Sequence, residues 1–136
     1  SNYGAAKMGL VGFTRVLANE GRKYNIKANA IAPVAKTRMT EELLGGFGDK
    51  ILPEEITPTV CYLAHEDCPV TGEVYSVAGG SVSRFFIGLT PGWYKNGHSV
   101  EDVRDNFDTI RNEDGYIVPE GPQDELGKLL GLLSGE

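Results

Sequence analysis

Residues 3–40, YGAAKMGLVGFTRVLANEGRKYNIKANAIAPVAKTRMT, decide the fold. Helix formers fill the first half of the stretch. Apolar residues recur at helical spacing at Leu10, Phe13, Val16 and Leu17, and Gly21 follows as a natural stop. The spacing predicts one helix over 3–20. Its first half is unusually small-sided, with Gly4, Ala5, Ala6, Gly9 and Gly12, so a second backbone can lie close against it. After the charged turn RKYN, the run from Ile26 to Pro33 alternates and is bounded by proline, which predicts a short buried strand entering a loop over 34–52.

Working outward, a short helix is expected at 39–45, broken by Gly45, Gly46 and Gly48. GGFGDK at 45–50 follows no strand and is expected to be a flexible loop. Pro53 then opens a helix through PEEITPTVCYLAHE, with Pro58 in its early turns. TGEVYSVAGG at 71–80 alternates between two faces and predicts a second strand ending in Gly-Gly. Helix, strand, helix, strand is an α/β pattern, and the spacing makes the two strands parallel, as in one half of a doubly wound, Rossmann-like sheet. Residues 1–80 are therefore read as one partial domain and 81–136 as a C-terminal extension, irregular and helical. In the extension, Ser99-Val-Glu-Asp has the form of a capping box for a helix over 99–112, and LGKLLGLLSGE carries apolar residues at helical spacing.

The net charge of −6 is unevenly placed. Residues 1–95 hold ten Lys/Arg against nine Asp/Glu, while 96–136 hold three against ten. A near-neutral body with an anionic tail and no basic stripe argues against nucleic acid as a partner. No apolar run reaches the roughly 20 residues of a membrane helix, so the chain reads as soluble. At 136 residues it is shorter than the roughly 250 expected of a complete dinucleotide enzyme, and it opens on a helix start without Met, so an incomplete chain is expected. Cys61, His65 and Cys68 form C-x3-H-x2-C, which a helix would place on roughly one face. Zinc is one reading, but a fourth ligand is missing and a buried thiol packs as a small hydrophobe, so no metal is assigned.

Chemistry gathers at Tyr3 and Lys7. Four apart on a helix, their side chains lie on one face about one turn apart. An ammonium near a phenol favours the phenolate by direct attraction, and the pair can then shuttle a proton. Taken alone, Tyr-x-x-x-Lys is equally a solvated helix face. What lifts it is order: small residues between the two, Asn29-Ala-Ile-Ala-Pro33 at a strand end, Thr37 four residues after Pro33, and Thr71-Gly72 leading a strand that ends in Ala78-Gly79-Gly80.

In that order and spacing, residues 2–80 resemble the C-terminal half of a classical short-chain dehydrogenase/reductase: active-site helix, following strand and nicotinamide loop. The resemblance implies that Tyr3 is the catalytic acid/base and that Lys7 assists it and holds the nicotinamide ribose. It implies that Pro33, Val34, Ala35 and Thr37 line the nicotinamide of NAD or NADP. Lys36 and Arg38 are either solvated loop charges or contacts to phosphates of a cofactor or acyl-CoA. The family often has Gly where this chain has Val34. Within the family, YLAHEDC, TGEVYSVAGGSVSRFF and the tail are similar to the (3R)-hydroxyacyl-CoA dehydrogenase part of peroxisomal-type multifunctional enzymes 2. That likeness implies an acyl-CoA substrate and a peroxisomal or cytoplasmic location. The family also implies homo-oligomers formed through helix 3–20. Its glycine-rich turn G-x-x-x-G-x-G and its catalytic Ser are absent here, so the 136 residues alone are expected to be inactive. Two other readings stay open: a non-catalytic binding or assembly module of the same fold, and a family member acting on another alcohol or ketone.

Overall fold

The computed structural model describes residues 2–37, 40, 42 and 45–135. The chain divides into two compact units, residues 1–86 and 87–136.

The first unit begins with helix α1, Asn2–Gly21. A 3-10 turn at Arg22–Tyr24 follows, and Asn25 in the left-handed region (φ 58°) closes it, with the Ile26 amide donating to Gly21 O at 3.0 Å. The reversal therefore belongs to Asn25, one of the few residues that tolerate that conformation, and Gly21 remains helical. Strand β1 is Ala30–Pro33, shorter than the predicted run, and the expected short helix at 39–45 lies largely outside the described residues. Residues 45–50 form a 3-10 helix where a flexible loop was expected. Gly48 there packs against the Lys36 stem, from which an added Cβ would stand only 3.2 Å. The helix predicted from Pro53 is a 3-10 turn, Pro53–Ile56, joined to helix α2, Thr57–Ala64. Pro58 falls at the second position of α2, where a missing amide costs nothing.

Strand β2, Val74–Ala78, pairs parallel with β1, Ala30 opposite Val74 and Pro33 opposite Val77. Strand β3, Ser81–Phe85, extends the sheet beyond the two predicted strands and pairs antiparallel with β2. Gly79 and Gly80, at φ 51° and 77°, form the two-residue hairpin between them, a turn that needs positive φ at both positions. The strands thus lie in the order β1-β2-β3, with a parallel pair and one antiparallel edge strand.

The core is small. Ala18 of α1, Cys68, Val74 and Val77 are its buried hydrophobic residues, and Thr14 is buried with its hydroxyl donating to Leu10 O at 2.8 Å. Thr14, Ala18 and Gly21 form the inner stripe of α1, whereas Leu10, Phe13, Val16 and Leu17 are exposed. Gly72, at φ 81°, brings the chain so close to Ala18 that an added Cβ would sit 3.2 Å from the Ala18 methyl. A dense polar joint holds the start of the sheet. Asn29 donates through Nδ2 to Val70 O at 3.0 Å and accepts the Glu73 amide on Oδ1 at 3.1 Å. The Ala28 amide donates to Thr71 Oγ1 at 3.0 Å, and the Gly72 amide to Ala28 O at 2.7 Å.

In the second unit the predicted capping box is present: Ser99 Oγ accepts the Asp102 amide and Asp102 returns a carboxylate to the Ser99 amide at 2.9 Å. The lysine Lys95 beside Asp102, with the Ser99 contacts, holds that carboxyl down to about 2. The helix expected over 99–112 is broken into α3, Val100–Asp105, and α4, Phe107–Arg111. At the break, Asp102 O accepts both the Asn106 side chain at 2.8 Å and the Asn106 amide at 3.1 Å. Helix α5, Pro122–Ser134, closes the unit.

Candidate active site

Ala18 of α1 meets Gly72, and Gly72 bonds back to Ala28, so the C-terminal end of α1 lies near the start of both parallel strands. The loop after Pro33 leaves the carboxyl end of those strands, where open α/β sheets bind ligands.

Tyr3, in the first turn of α1, is 70% exposed, so its hydroxyl can be reached from solution. Lys7 Nζ stands 5.4 Å from the Tyr3 ring centroid, as the four-residue spacing requires. The Asn2 side chain accepts the Tyr3 amide at 2.8 Å, which supports the first turn of the helix.

Pro33 ends β1, and Val34, Ala35 and Thr37 continue from it as one loop. The Val34 amide donates to Val77 O at 2.9 Å, so the first loop residue is still fastened to the sheet although it is Val where Gly is common. The Lys36 amide donates to Ile51 O at 2.8 Å. Lys36 Nζ is paired with Asp49 at 2.7 Å, and this neighbour holds the Asp49 carboxyl below the usual carboxylate range. Lys36 is thus a loop brace rather than a wholly solvated charge. Arg38 lies outside the described residues.

Thr40, which the sequence reading passed over, is the hub of this loop. Its Oγ1 accepts the Thr37 amide at 2.8 Å, donates to Ala35 O at 2.7 Å and lies 3.1 Å from Thr37 Oγ1, while its own amide donates to Thr37 O at 3.0 Å. Two threonines three apart across a tight turn were the available signal, since their hydroxyls satisfy turn backbone groups.

Cys61, His65 and Cys68 do not converge. Cys61 is exposed on α2, His65 Nδ1 accepts the Asp67 amide at 3.2 Å, and Cys68 is fully buried with Sγ toward Val70 O. Among the described residues, no three His, Cys, Asp or Glu side chains are grouped to hold a metal ion. Away from the loop, Glu73 accepts a short hydrogen bond from the Tyr75 hydroxyl and an ion pair from Arg84 at 3.0 Å, across the β2–β3 ladder. The bond to Glu73, with burial behind it, pushes the Tyr75 phenol up to about 12. Among the described residues, no helix is long and apolar enough to cross a membrane.

A parallel strand pair preceded by a helix that carries an exposed Tyr-x-x-x-Lys pair defines a class, and the chain belongs to the short-chain dehydrogenase/reductase family. Residues 1–82 match the family described as enoyl-(acyl carrier protein) reductase. The chain is 44% identical over 120 residues to a protein of Mycobacterium tuberculosis named as a short-chain type dehydrogenase/reductase, covering 87% of this chain and 42% of that one. It is 34% identical to peroxisomal multifunctional enzyme A of Dictyostelium discoideum, over 98% of this chain and 31% of the relative. The structure of full-length peroxisomal multifunctional enzyme type 2 from Drosophila melanogaster superposes with a TM-score of 0.81 at 26% identity, covering 98% of this chain and 25% of that one. The chain spans less than half the length of each.

Proposed function

We propose that this chain is the proton-transfer half of an NAD(P)-dependent oxidoreductase that interconverts a hydroxyl and a carbonyl, with (3R)-3-hydroxyacyl-CoA and 3-oxoacyl-CoA as the substrate pair. The observation that carries the reading is the exposed Tyr3 phenol with the Lys7 ammonium 5.4 Å from its ring centre. Tyr3 gives its proton to the carbonyl oxygen on reduction and takes one from the alcohol on oxidation. Lys7 stabilises negative charge on the phenol oxygen while the proton is in transit and holds the nicotinamide ribose. The bound nicotinamide supplies or accepts the hydride. Pro33, Val34, Ala35 and Thr37 face its carboxamide; a surface loop braced on both sides, with a Thr hydroxyl among exposed backbone, has the chemistry to hold such a group.

The acyl-CoA assignment rests on likeness to proteins whose names are peroxisomal multifunctional enzymes, and those names also favour a peroxisomal or cytoplasmic home. The test is an assay panel on the protein that carries this chain, following nicotinamide absorbance with NAD and NADP. A 3-hydroxyacyl-CoA should be turned over with a higher kcat/KM than short alcohols, sugars or steroids. Preference for any of those would overturn the substrate while leaving the reaction class, and no nicotinamide turnover at all would favour a non-catalytic module.

A further inference from the structure

The chain has seven asparagines, and only Asn96 is followed by glycine. Asn96 and Gly97 are both exposed in a turn of the second unit, with Gly97 at φ 66°. Among the described residues, neither the Asn96 side chain nor the Gly97 amide has a hydrogen-bond partner. The other asparagines are held. Asn29 uses both ends of its amide group, on Val70 O and on the Glu73 amide. Asn106 donates to Asp102 O, while Asn2 and Asn112 accept the amides of Tyr3 and Asp114. Asn19 lies inside α1, where the amide after it belongs to the helical ladder. Asn25 precedes the branched Ile26, whose amide is given to Gly21 O.

An asparagine side chain carries an electrophilic carbonyl carbon, and the next backbone nitrogen can reach it. A glycine at that next position has no Cβ to hinder the approach and leaves the backbone free to turn. We propose that Asn96–Gly97 is a self-modification site, converted in water to aspartyl and isoaspartyl forms. The Gly97 nitrogen bonds to Asn96 Cγ, its proton departs with the side-chain amino group as ammonia, and a succinimide ring closes. Water then opens the ring: cleavage at Cγ gives aspartate, and cleavage at the main-chain carbonyl gives isoaspartate, with the backbone running through the former side chain. Nothing is oxidised or reduced, and water is the only co-reactant. The conversion adds a negative charge to an already acidic tail, within a turn whose ends are tied by Lys95 and Asp102 at 2.6 Å.

The experiment incubates the protein carrying this chain in mildly alkaline buffer and then cleaves it after glutamate at mildly acidic pH. Cleavage at Glu73 and Glu101 releases 74–101 with Asn96 in its interior, and cleavage at Glu101 and Glu113 releases 102–113 with Asn106 and Asn112 as internal standards. Mass spectrometry reads the exchange of the amide nitrogen for oxygen, and reversed-phase chromatography separates isoaspartyl from aspartyl peptides. Each held asparagine must first give up a hydrogen bond worth about tenfold, so 74–101 should change at least about tenfold faster than 102–113. Asn96→Gln, whose longer side chain would have to close a larger ring, should leave 74–101 unchanged over the same time. Gly97→Ala, which sets a methyl beside the attacking nitrogen in a left-handed backbone, should slow the change by about tenfold. Equal rates in the two peptides, or a Gly97→Ala rate equal to that of the wild type, overturn the proposal. So does an aspartyl product with no isoaspartyl form, because it would come from direct hydrolysis without the ring.

Discussion

Replacing Asn29 by Ala tests how the candidate site is held on the sheet. The Asn29 side chain spans from β1 to the turn before β2, giving one hydrogen bond to Val70 O at 3.0 Å and taking one from the Glu73 amide at 3.1 Å. Truncation leaves the Glu73 amide without its partner, and Val70 O with only the weak Cys68 Sγ donor 3.6 Å away, in a half-buried joint. A buried group left unsatisfied costs about 1–3 kcal/mol, and partial access of water lowers that toward the bottom of the range for each. The expected loss is about 2–3 kcal/mol for the pair. Thr71→Val removes one comparable bond, to the Ala28 amide at 3.0 Å, and should cost about half as much. Urea denaturation followed by circular dichroism measures both. With a slope of about 1–3 kcal/mol/M, Asn29→Ala should move the midpoint down by about 1 M. A loss below about 0.5 kcal/mol, or a Thr71→Val effect larger than that of Asn29→Ala, would refute the view that this joint fastens the two parallel strands.

Two further outcomes follow from the same fold. Tyr75 is pushed up from 10.0 to about 12 in the folded chain, so the folded state binds the extra proton between those values. Its contribution is complete below pH 10 and lost as pH rises toward 12; Tyr75→Phe should flatten the fall of stability across that window in alkaline denaturation, and an unchanged slope counts against the Glu73 bond. On α1, Phe13 is 59% exposed, and added Cβ atoms on Gly4, Gly9 and Gly12 would meet nothing within 4 Å. If this face joins two copies, as the small-residue pattern implies, Phe13→Asp should lower the mass of the assembled protein in light scattering, and an unchanged oligomer would remove α1 from the interface.

Much of the first unit was legible because its signals are local. The periodicity of residues 3–20 fixed α1 within a residue at each end, and the alternation of 71–80 located β2. The strand β3 was missed although Gly79-Gly80 is among the pairs favoured in two-residue hairpins. Ser81, Ser83 and Arg84 make that strand half polar, all of its residues are exposed, and an exposed edge strand carries no core-facing pattern to read. The break at Asn106 was hidden for a different reason: the Asn106 side chain folds back onto Asp102 O beside its own amide, two bonds to one carbonyl that no residue spacing signals. The residues of α1 that are buried are the small Thr14, Ala18 and Gly21, whereas the large apolar residues that carry its helical spacing are exposed. At the site, the spacing of Tyr3 and Lys7 follows from helix geometry alone, whereas the bracing of the loop by Thr40 and by Lys36 with Asp49 needs contacts over three to thirteen residues that no periodicity announces.

The central claim, that Tyr3 moves the proton, is tested most directly by Tyr3→Phe in the protein that carries this chain, with kcat/KM and cofactor affinity measured together. Loss of a positioned acid/base lowers the rate by about 10²–10⁴-fold, and the exposed ring leaves packing unchanged when only its hydroxyl is removed. The account predicts a fall of that size with the nicotinamide dissociation constant held within about threefold. A variant that keeps more than about a tenth of the wild-type rate would contradict it.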